Sequence, residues 1–363
     1  MNGEQRAERE RIPLPLWTVT RPTAEPSTAV VGSQSPNGLI DSFGRRHNNL
    51  RISVTDRCNL RCVYCMPEEV VFLDRAELLR FEEIAAFVRV AVPLGIDRVR
   101  LTGGEPLLRR ELYRLVAMLA SIPGLKDIGL TTNGLLLAGQ AQALAEAGLR
   151  RINVSLDTLD PERFRALTRR DGLSAVLAGI EAAQRAGLTP VKVNAVIIRG
   201  SNDEDVVPLA RAARQHGWEM RFIEYMPIGA EPWERDKVFT AQEILDRISQ
   251  EVGPLRPAHD GDPHAAAQDY VYADGGGRLG IIASVSRPFC HSCNRLRLTA
   301  EGKLRNCLFA LEEVDVRSLL RHGIEEERLA EVIRQNVWAK WEGHEINTAR
   351  FVKPKRTMHA IGG

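Results

Sequence analysis

From about residue 50 the chain alternates between two beats. Runs in which apolar and polar residues alternate occupy 50–55, 97–102, 127–132, 150–156, 191–198 and 219–225, the period of a strand. Between them, apolar residues recur at helical spacing over 77–92, 109–120, 138–147, 161–169, 174–186 and 203–215. Gly95, Gly148, Gly187 and Gly217 follow four of these helices, where a left-handed cap is wanted. Six strand–helix units in series predict an α/β fold built on a parallel sheet wrapped by helices. Six is fewer than the eight of a closed barrel, so a partial (β/α)6 barrel of the TIM type, open on one side, is expected.

The alternation also assigns the two faces of the sheet. Ile52 and Val54 oppose Arg51, Ser53 and Thr55; Val99 and Leu101 oppose Arg100 and Thr102; Val193 and Ala195 oppose Lys192 and Asn194. Helices cover the outer face of a parallel sheet, so the polar face must look into the barrel. A barrel built only for stability fills that space with Val, Ile and Leu. This one carries two Arg, a Lys, hydroxyls and amides, which reads as a pocket for a large, polar, anionic ligand.

Near residue 230 the beat changes. A helical pattern at 241–251, a Gly/Asp/His-rich loop at 259–267, strand-like runs at 269–273 and 279–284 and helical patterns at 311–321 and 325–342 form a smaller α+β region. The expected organisation is a disordered leader at 1–47, the barrel at 48–229 and the C-terminal region at 230–363. The leader is rich in Pro, Ser, Thr and charge, without apolar periodicity.

Composition narrows the function classes. A net charge of +2 argues against a broad nucleic-acid surface. The charged N-terminus lacks an apolar signal core, and no apolar run is long enough for a bilayer, so a cytoplasmic protein without a membrane partner is expected. The six cysteines fall into two triads, Cys58/Cys62/Cys65 and Cys290/Cys293/Cys307, more than two hundred residues apart. That pattern suggests two metal sites rather than a disulfide net. Three thiolates on one four-iron cube leave one iron without a protein ligand, able to bind a substrate-like cofactor. The alternatives are zinc, which usually takes four protein ligands, or buried free thiols; for the second triad, a zinc ribbon completed by His291. Arg295 and Arg297, two apart between Cys293 and Cys307, suit a phosphate. No Gly-x4-Gly-Lys-Ser/Thr loop is present, so side chains must hold any nucleotide.

The spacing Cys58-x3-Cys62-x2-Cys65, followed by Gly103-Gly104-Glu105-Pro106, resembles the radical S-adenosylmethionine enzymes. With Ser53-Val-Thr-Asp-Arg-Cys58, Tyr64-Cys-Met-Pro67, Gly129-Leu-Thr-Thr-Asn-Gly134, Arg151-Ile-Asn-Val-Ser-Leu-Asp157, Arg221-Phe-Ile-Glu-Tyr-Met226 and the terminal Gly362-Gly363, residues 48–363 resemble the GTP 3′,8-cyclase family. The resemblance implies two 4Fe-4S clusters, held by Cys58, Cys62 and Cys65 and by Cys290, Cys293 and Cys307. It implies S-adenosyl-L-methionine on the first, contacted by Tyr64, Gly104, Ser155 and Met226. It implies GTP on the second, contacted by Arg51, Arg100, Thr131, Lys192, Arg295 and Arg297. Arg295, Arg297, Gly362 and Gly363 would support catalysis, in which an adenosyl radical takes the 3′ hydrogen of the ribose and the carbon radical adds to guanine carbon 8. Its implied partners are GTP, a downstream cyclic pyranopterin monophosphate synthase, an electron donor of unknown identity and a second copy in a homodimer. The chain departs from the family pattern in its longer leader and a shorter loop from Met66 to Phe72. Its rivals are a peptide-modifying radical enzyme with an auxiliary cluster and a zinc-stabilised nucleotide-binding regulator.

Overall fold

The structure is a computed structural model that describes residues 38–229, 232–321 and 325–362. The expected beat appears as β1 (Asn49–Ser53), α1 (Phe81–Ala91), β2 (Arg98–Thr102), α2 (Leu112–Ala120), β3 (Asp127–Thr132), α3 (Ala141–Glu146), β4 (Arg151–Ser155), α4 (Pro161–Thr168), α5 (Leu173–Arg185), β5 (Lys192–Ile197), α6 (Val206–His216) and β6 (Glu219–Glu224). Then come α7 (Ala241–Glu251), β7 (Leu255–Pro257), β8 (Gln268–Tyr272), β9 (Arg278–Ile282), β10 (Arg295–Leu298), β11 (Lys303–Arg305), β12 (Val314–Asp315), α8 (Arg317–Arg321), α9 (Glu326–Trp338) and α10 (Met358–Ile361).

Local chemistry sets several boundaries. Asp160 accepts from Arg163 N at 2.7 Å and Pro161 opens α4, so that helix starts where its first-turn donors find a cap. Thr240 and Glu243 form a reciprocal box at the start of α7. Gly217 ends α6 at φ +69°, a conformation glycine adopts without strain. The helix expected over 311–321 is confined to α8, because Val314 and Asp315 pair with Leu304 and Lys303 and Asp315 caps Arg317 N at 2.9 Å.

Among the described residues all twelve strands belong to one sheet, in the order β12-β11-β10-β1-β2-β3-β4-β5-β6-β9-β8-β7. β10, β1 to β6 and β9 run parallel, eight strands in a row. β9 and β10 do not pair with each other; each turns instead into an antiparallel hairpin. The barrel therefore stays open between them. The C-terminal region does not make a sheet of its own: it adds one parallel strand to each lip of the six-unit barrel. The segment joining those lips, 283–294, carries Cys290 and Cys293.

The outward strand residues make the core. Leu50, Ile52, Leu101, Leu130, Ile152, Val154, Val193 and Phe222 are fully buried against the helices. A smaller apolar cluster of Ile228, Val238, Val285, Phe309, Ile346 and Ile361 lies under the C-terminal segment.

The expected leader boundary is corrected. Residues 38–47 fold onto the barrel: Ile40 and Arg46 form a bridge, and Leu39, Asp41 and His47 are buried. Asp41 organises the turn by accepting from Phe43 N and Arg45 N, so the polar composition serves internal hydrogen bonds rather than solvent. Residues 1–37 lie outside the described part of the chain.

Candidate active site

The first cysteine triad follows β1, at the C-terminal rim of the strands where barrels carry their sites. Cys65 N and Met66 N both donate to the Cys62 carbonyl, winding the loop into a tight turn. Arg61 N and Val63 N donate to the Thr168 and Leu167 carbonyls, pinning it to the end of α4. Burial pushes all three thiols up, Cys65 to about 12; Cys62 also feels Cys65 and Cys58, and Cys65 feels Cys58. Three neighbouring thiols that feel one another and are reluctant to ionise unaided are a donor set that a cationic cluster would complete. Donors point at the sulfurs: Leu60 N lies 3.4 Å from Cys58 Sγ, Asn133 Nδ2 lies 3.8 Å from it, and the His359 backbone N–H faces Cys65. Among the described residues no three Cys, His, Asp or Glu side chains converge on one ion. Ligands on separate corners of a cube stand wider apart than those around a single zinc.

The rim beside this triad gathers the expected cofactor residues. Gly104 sits so close to the cysteine loop that a Cβ would meet the Arg57 carbonyl oxygen at 2.4 Å. Tyr64 donates to Asp157 Oδ2 at 2.6 Å, just beyond Ser155 at the end of β4. Met226 follows β6 and packs on the smaller apolar cluster. Glu105 is fully buried and accepts from Leu107 N, Thr132 Oγ1 and Asn133 N, which ties the Gly-Gly turn to the end of β3. Its carboxylate is a strut of the rim.

Lower in the lumen the sheet register lines up arginines. Arg297 on β10, Arg51 on β1 and Arg100 on β2 are direct neighbours across parallel strands. Gly129 comes next, and a Cβ there would press on the Arg100 guanidinium at 3.2 Å. Arg100 donates to Asn153 Oδ1 at 2.8 Å. Burial, then the charges of Arg297, Arg295 and Arg100, pulls Arg51 well below its usual value. Burial lowers Arg100 and Arg297 to about 10. Among the described residues, the buried Nε atoms of Arg51 and Arg221 have no hydrogen-bond partner, although Arg221 also feels the carboxylates of Asp269 and Glu219. Buried donors without acceptors are costly, and an anion placed among them would satisfy them.

A second register row holds Thr131, Asn153, Lys192 and Glu219. Thr131 therefore stands beside Asn153, in reach of the arginine row. Lys192 pairs with Glu219, which the alternation of β5 alone could not reveal. The second triad sits at the open side. Cys290 and Cys293 share a short turn before β10, and Cys307 follows β11. Burial, then Cys307 and Cys293, pushes Cys290 up to about 11. Against burial, Lys340 and Arg295 hold Cys293 well below its ordinary value. Arg295 lies over the Phe289 ring at 4.7 Å.

The C-terminal segment runs between the first triad and the arginine row. Arg297 donates to the Gly362 carbonyl, while His359 N–H faces Cys65. A Cβ on Gly362 would meet Thr102 Oγ1 at 2.3 Å. Gly363 lies outside the described residues. Sequence reasoning gave no site role to Arg221, Asn153, Asp157 or Lys340, although the first three fall within the family-like motifs. Arg221 and Asn153 carried a signal, since both fall on the polar beat of their strands. Lys340 carried none: it is 4 % exposed and donates to the Arg295 carbonyl at 2.8 Å and to Cys293 Sγ at 3.4 Å.

Two family models match the chain: the Radical SAM superfamily over residues 52–213 and Molybdenum Cofactor Synthesis C over residues 218–346. Proteins named GTP 3′,8-cyclase are similar over most of its length. The one from Rhodopirellula baltica is 46% identical over 90% of this chain and 93% of its own. Those from Mycolicibacterium smegmatis and Pelotomaculum thermopropionicum are each 47% identical, over 96% and 90% of this chain and 99% and 100% of their own. Among solved structures, Streptococcus suis SuiB bound to S-adenosylmethionine matches with a TM-score of 0.56 and 14% identity, over 80% of this chain and 68% of that one. Native anSMEcpe with bound AdoMet matches with a TM-score of 0.54 and 15% identity, over 78% and 83%. At such identities the likeness is one of fold.

Proposed function

The chain belongs to the GTP 3′,8-cyclase family of radical S-adenosylmethionine enzymes, and from that premise we propose how its residues divide the work. The reaction converts GTP to (8S)-3′,8-cyclo-7,8-dihydroguanosine 5′-triphosphate, the first step of molybdenum cofactor biosynthesis. The product is the substrate expected for a downstream cyclic pyranopterin monophosphate synthase.

In this reading Cys58, Cys62 and Cys65 hold a 4Fe-4S cluster, and S-adenosylmethionine lies between Tyr64, Gly104, Ser155 and Met226. Bound there, cluster and cofactor together supply a one-electron cut that delivers a hydrogen-abstracting carbon radical. Cys290, Cys293 and Cys307 hold a second 4Fe-4S cluster and seat the guanine. Arg51, Arg100, Arg295 and Arg297 take the triphosphate, joined by Arg221. Lys192 contributes from its pair with Glu219, and Thr131 and Asn153 orient the ribose. Gly362 keeps the tail close to Arg297 with no side chain to block the lumen.

The observation that carries this reading is the arginine row between the two triads, with the Nε atoms of Arg51 and Arg221 buried and unpartnered. Anaerobic iron and sulfide analysis with electron paramagnetic resonance, with and without GTP, tests it. About eight irons per chain, the content of two four-iron clusters, and a GTP-dependent change in one spectrum are expected. A spectrum indifferent to GTP, or stoichiometric zinc without iron, removes it. Cys58→Ala abolishes cofactor cleavage, and Arg295→Ala weakens GTP binding.

A further inference from the structure

The hairpin at 38–47 lies ahead of the region matched by the radical SAM family model, which begins at residue 52, yet it docks on the second cysteine triad. Arg45 is the point of contact. Its Nη1 donates to the Cys290 carbonyl at 2.8 Å and the Glu342 carbonyl at 2.5 Å, and its Nη2 to the Trp341 carbonyl at 2.6 Å. Its Nε donates to Asp41 Oδ2 at 2.6 Å. One guanidinium thus uses four of its five donors on three backbone carbonyls and a carboxylate.

The fork itself is held. Asp41 is 1 % exposed and also accepts from Phe43 N, Arg45 N and His47 Nε2, the last at 2.9 Å. The three carbonyls belong to the two segments around the triad that no strand fixes. Cys290 lies in the turn between the open lips of the barrel. Trp341 and Glu342 follow Lys340, whose ammonium touches Cys293 Sγ. Strand pairing positions Arg295 and Arg297 but stops short of both segments.

We propose that Arg45, locked by Asp41 and His47, is a positioning residue of the second cysteine site. It clips the Cys290 turn to the 340–342 segment and so fixes the direction in which Cys290 and Cys293 present their sulfurs. Lysine cannot replace it, because a single ammonium does not span three carbonyls in a plane. This inference rests on the reading that the second triad holds a cluster, and the test separates the two.

Wild type, Arg45→Met and Arg45→Lys full-length chains are compared by hydrogen–deuterium exchange before cluster loading, then by iron content and electron paramagnetic resonance after it. Exchange about tenfold faster at 289–294 and 339–343, with the loop at 58–66 unchanged, is expected for both variants. Iron falls from about eight to about four per chain, and the signal lost is the one that responds to GTP. Unchanged exchange in those two segments overturns the proposal, as does full iron with an unaltered GTP-responsive signal. A wild type holding only about four irons would overturn the second-cluster reading instead; faster exchange in the variants would then still support the clip. If Arg45→Met does not fold, Asp41→Asn, which loosens the fork without removing it, gives the same exchange readout, and no change there overturns the proposal.

Discussion

At the scale of single residues, the lumen is lined with buried cations, some paired and some not: Lys192 lies against Glu219 and Arg221 feels Asp269 and Glu219, whereas Arg51 sits among Arg297, Arg295 and Arg100. Among the described residues, the buried Nε atoms of Arg51 and Arg221 have no acceptor, so each can take up an incoming anion. Replacing Arg221 by Ala removes a partner from a phosphate already out of water, a loss of about 1–3 kcal/mol, or roughly tenfold to a hundredfold in Kd for GTP. Equilibrium binding with a non-reacting GTP analogue checks this, and an unchanged Kd would take Arg221 out of the site. Glu105 makes a second case. Burial pushes its carboxyl up to about 7 despite three donors. Between about 4.5 and about 7 the folded chain keeps that proton and the unfolded chain releases it. The group's contribution is therefore undiminished below 4.5 and declines as pH rises towards 7, by no more than about 3 kcal/mol. Urea unfolding of the cluster-free chain across that range, wild type against Glu105→Gln, reads the slope, which the variant lacks.

At the scale of elements, the strands were the most legible part of the chain. Alternation in a parallel sheet with helices on its outer face leaves no doubt about which side is covered, and all six barrel strands formed close to their expected bounds. The short strands β7, β10, β11 and β12 were not legible as such. Four or fewer residues carry too little period, and β10 was visible only as two arginines with the same parity. Helix packing depends on contacts that a pattern of apolar positions does not encode. Gly179 is an example: it lets α5 approach the turn after β3 so closely that a Cβ would meet the Gly134 carbonyl oxygen at 2.5 Å. Gly179→Ala must push that helix outward and destabilise the chain by about 1–3 kcal/mol, measurable by chemical denaturation.

At the scale of the molecule, the site is made of pieces that meet only in three dimensions. The cysteine triads were legible because ligand spacing is local. The row Arg297–Arg51–Arg100 was not, because its order depends on a C-terminal strand pairing with the first strand of the barrel. Nor was the role of 38–47, whose polar residues satisfy one another inside the fold. The tail reaches the first triad and Arg297, with Gly362 at φ +70° and Thr102 Oγ1 2.3 Å from any added Cβ. Gly362→Ala therefore displaces the tail from Arg297. At least a tenfold fall in product formation is expected, about 1.4 kcal/mol or more in the barrier, while the iron content is unchanged. Normal turnover would show that the tail is dispensable.

The pairing of β1 with β10 has a consequence for how the chain is made. Until residues 295–298 leave the ribosome, one margin of β1 exposes unpaired N–H and C=O groups beside a run of buried apolar side chains. A nascent or prematurely ended chain is therefore adhesive at the strand that leads into its first cysteines, and truncations before β10 are expected to aggregate rather than fold into a smaller barrel.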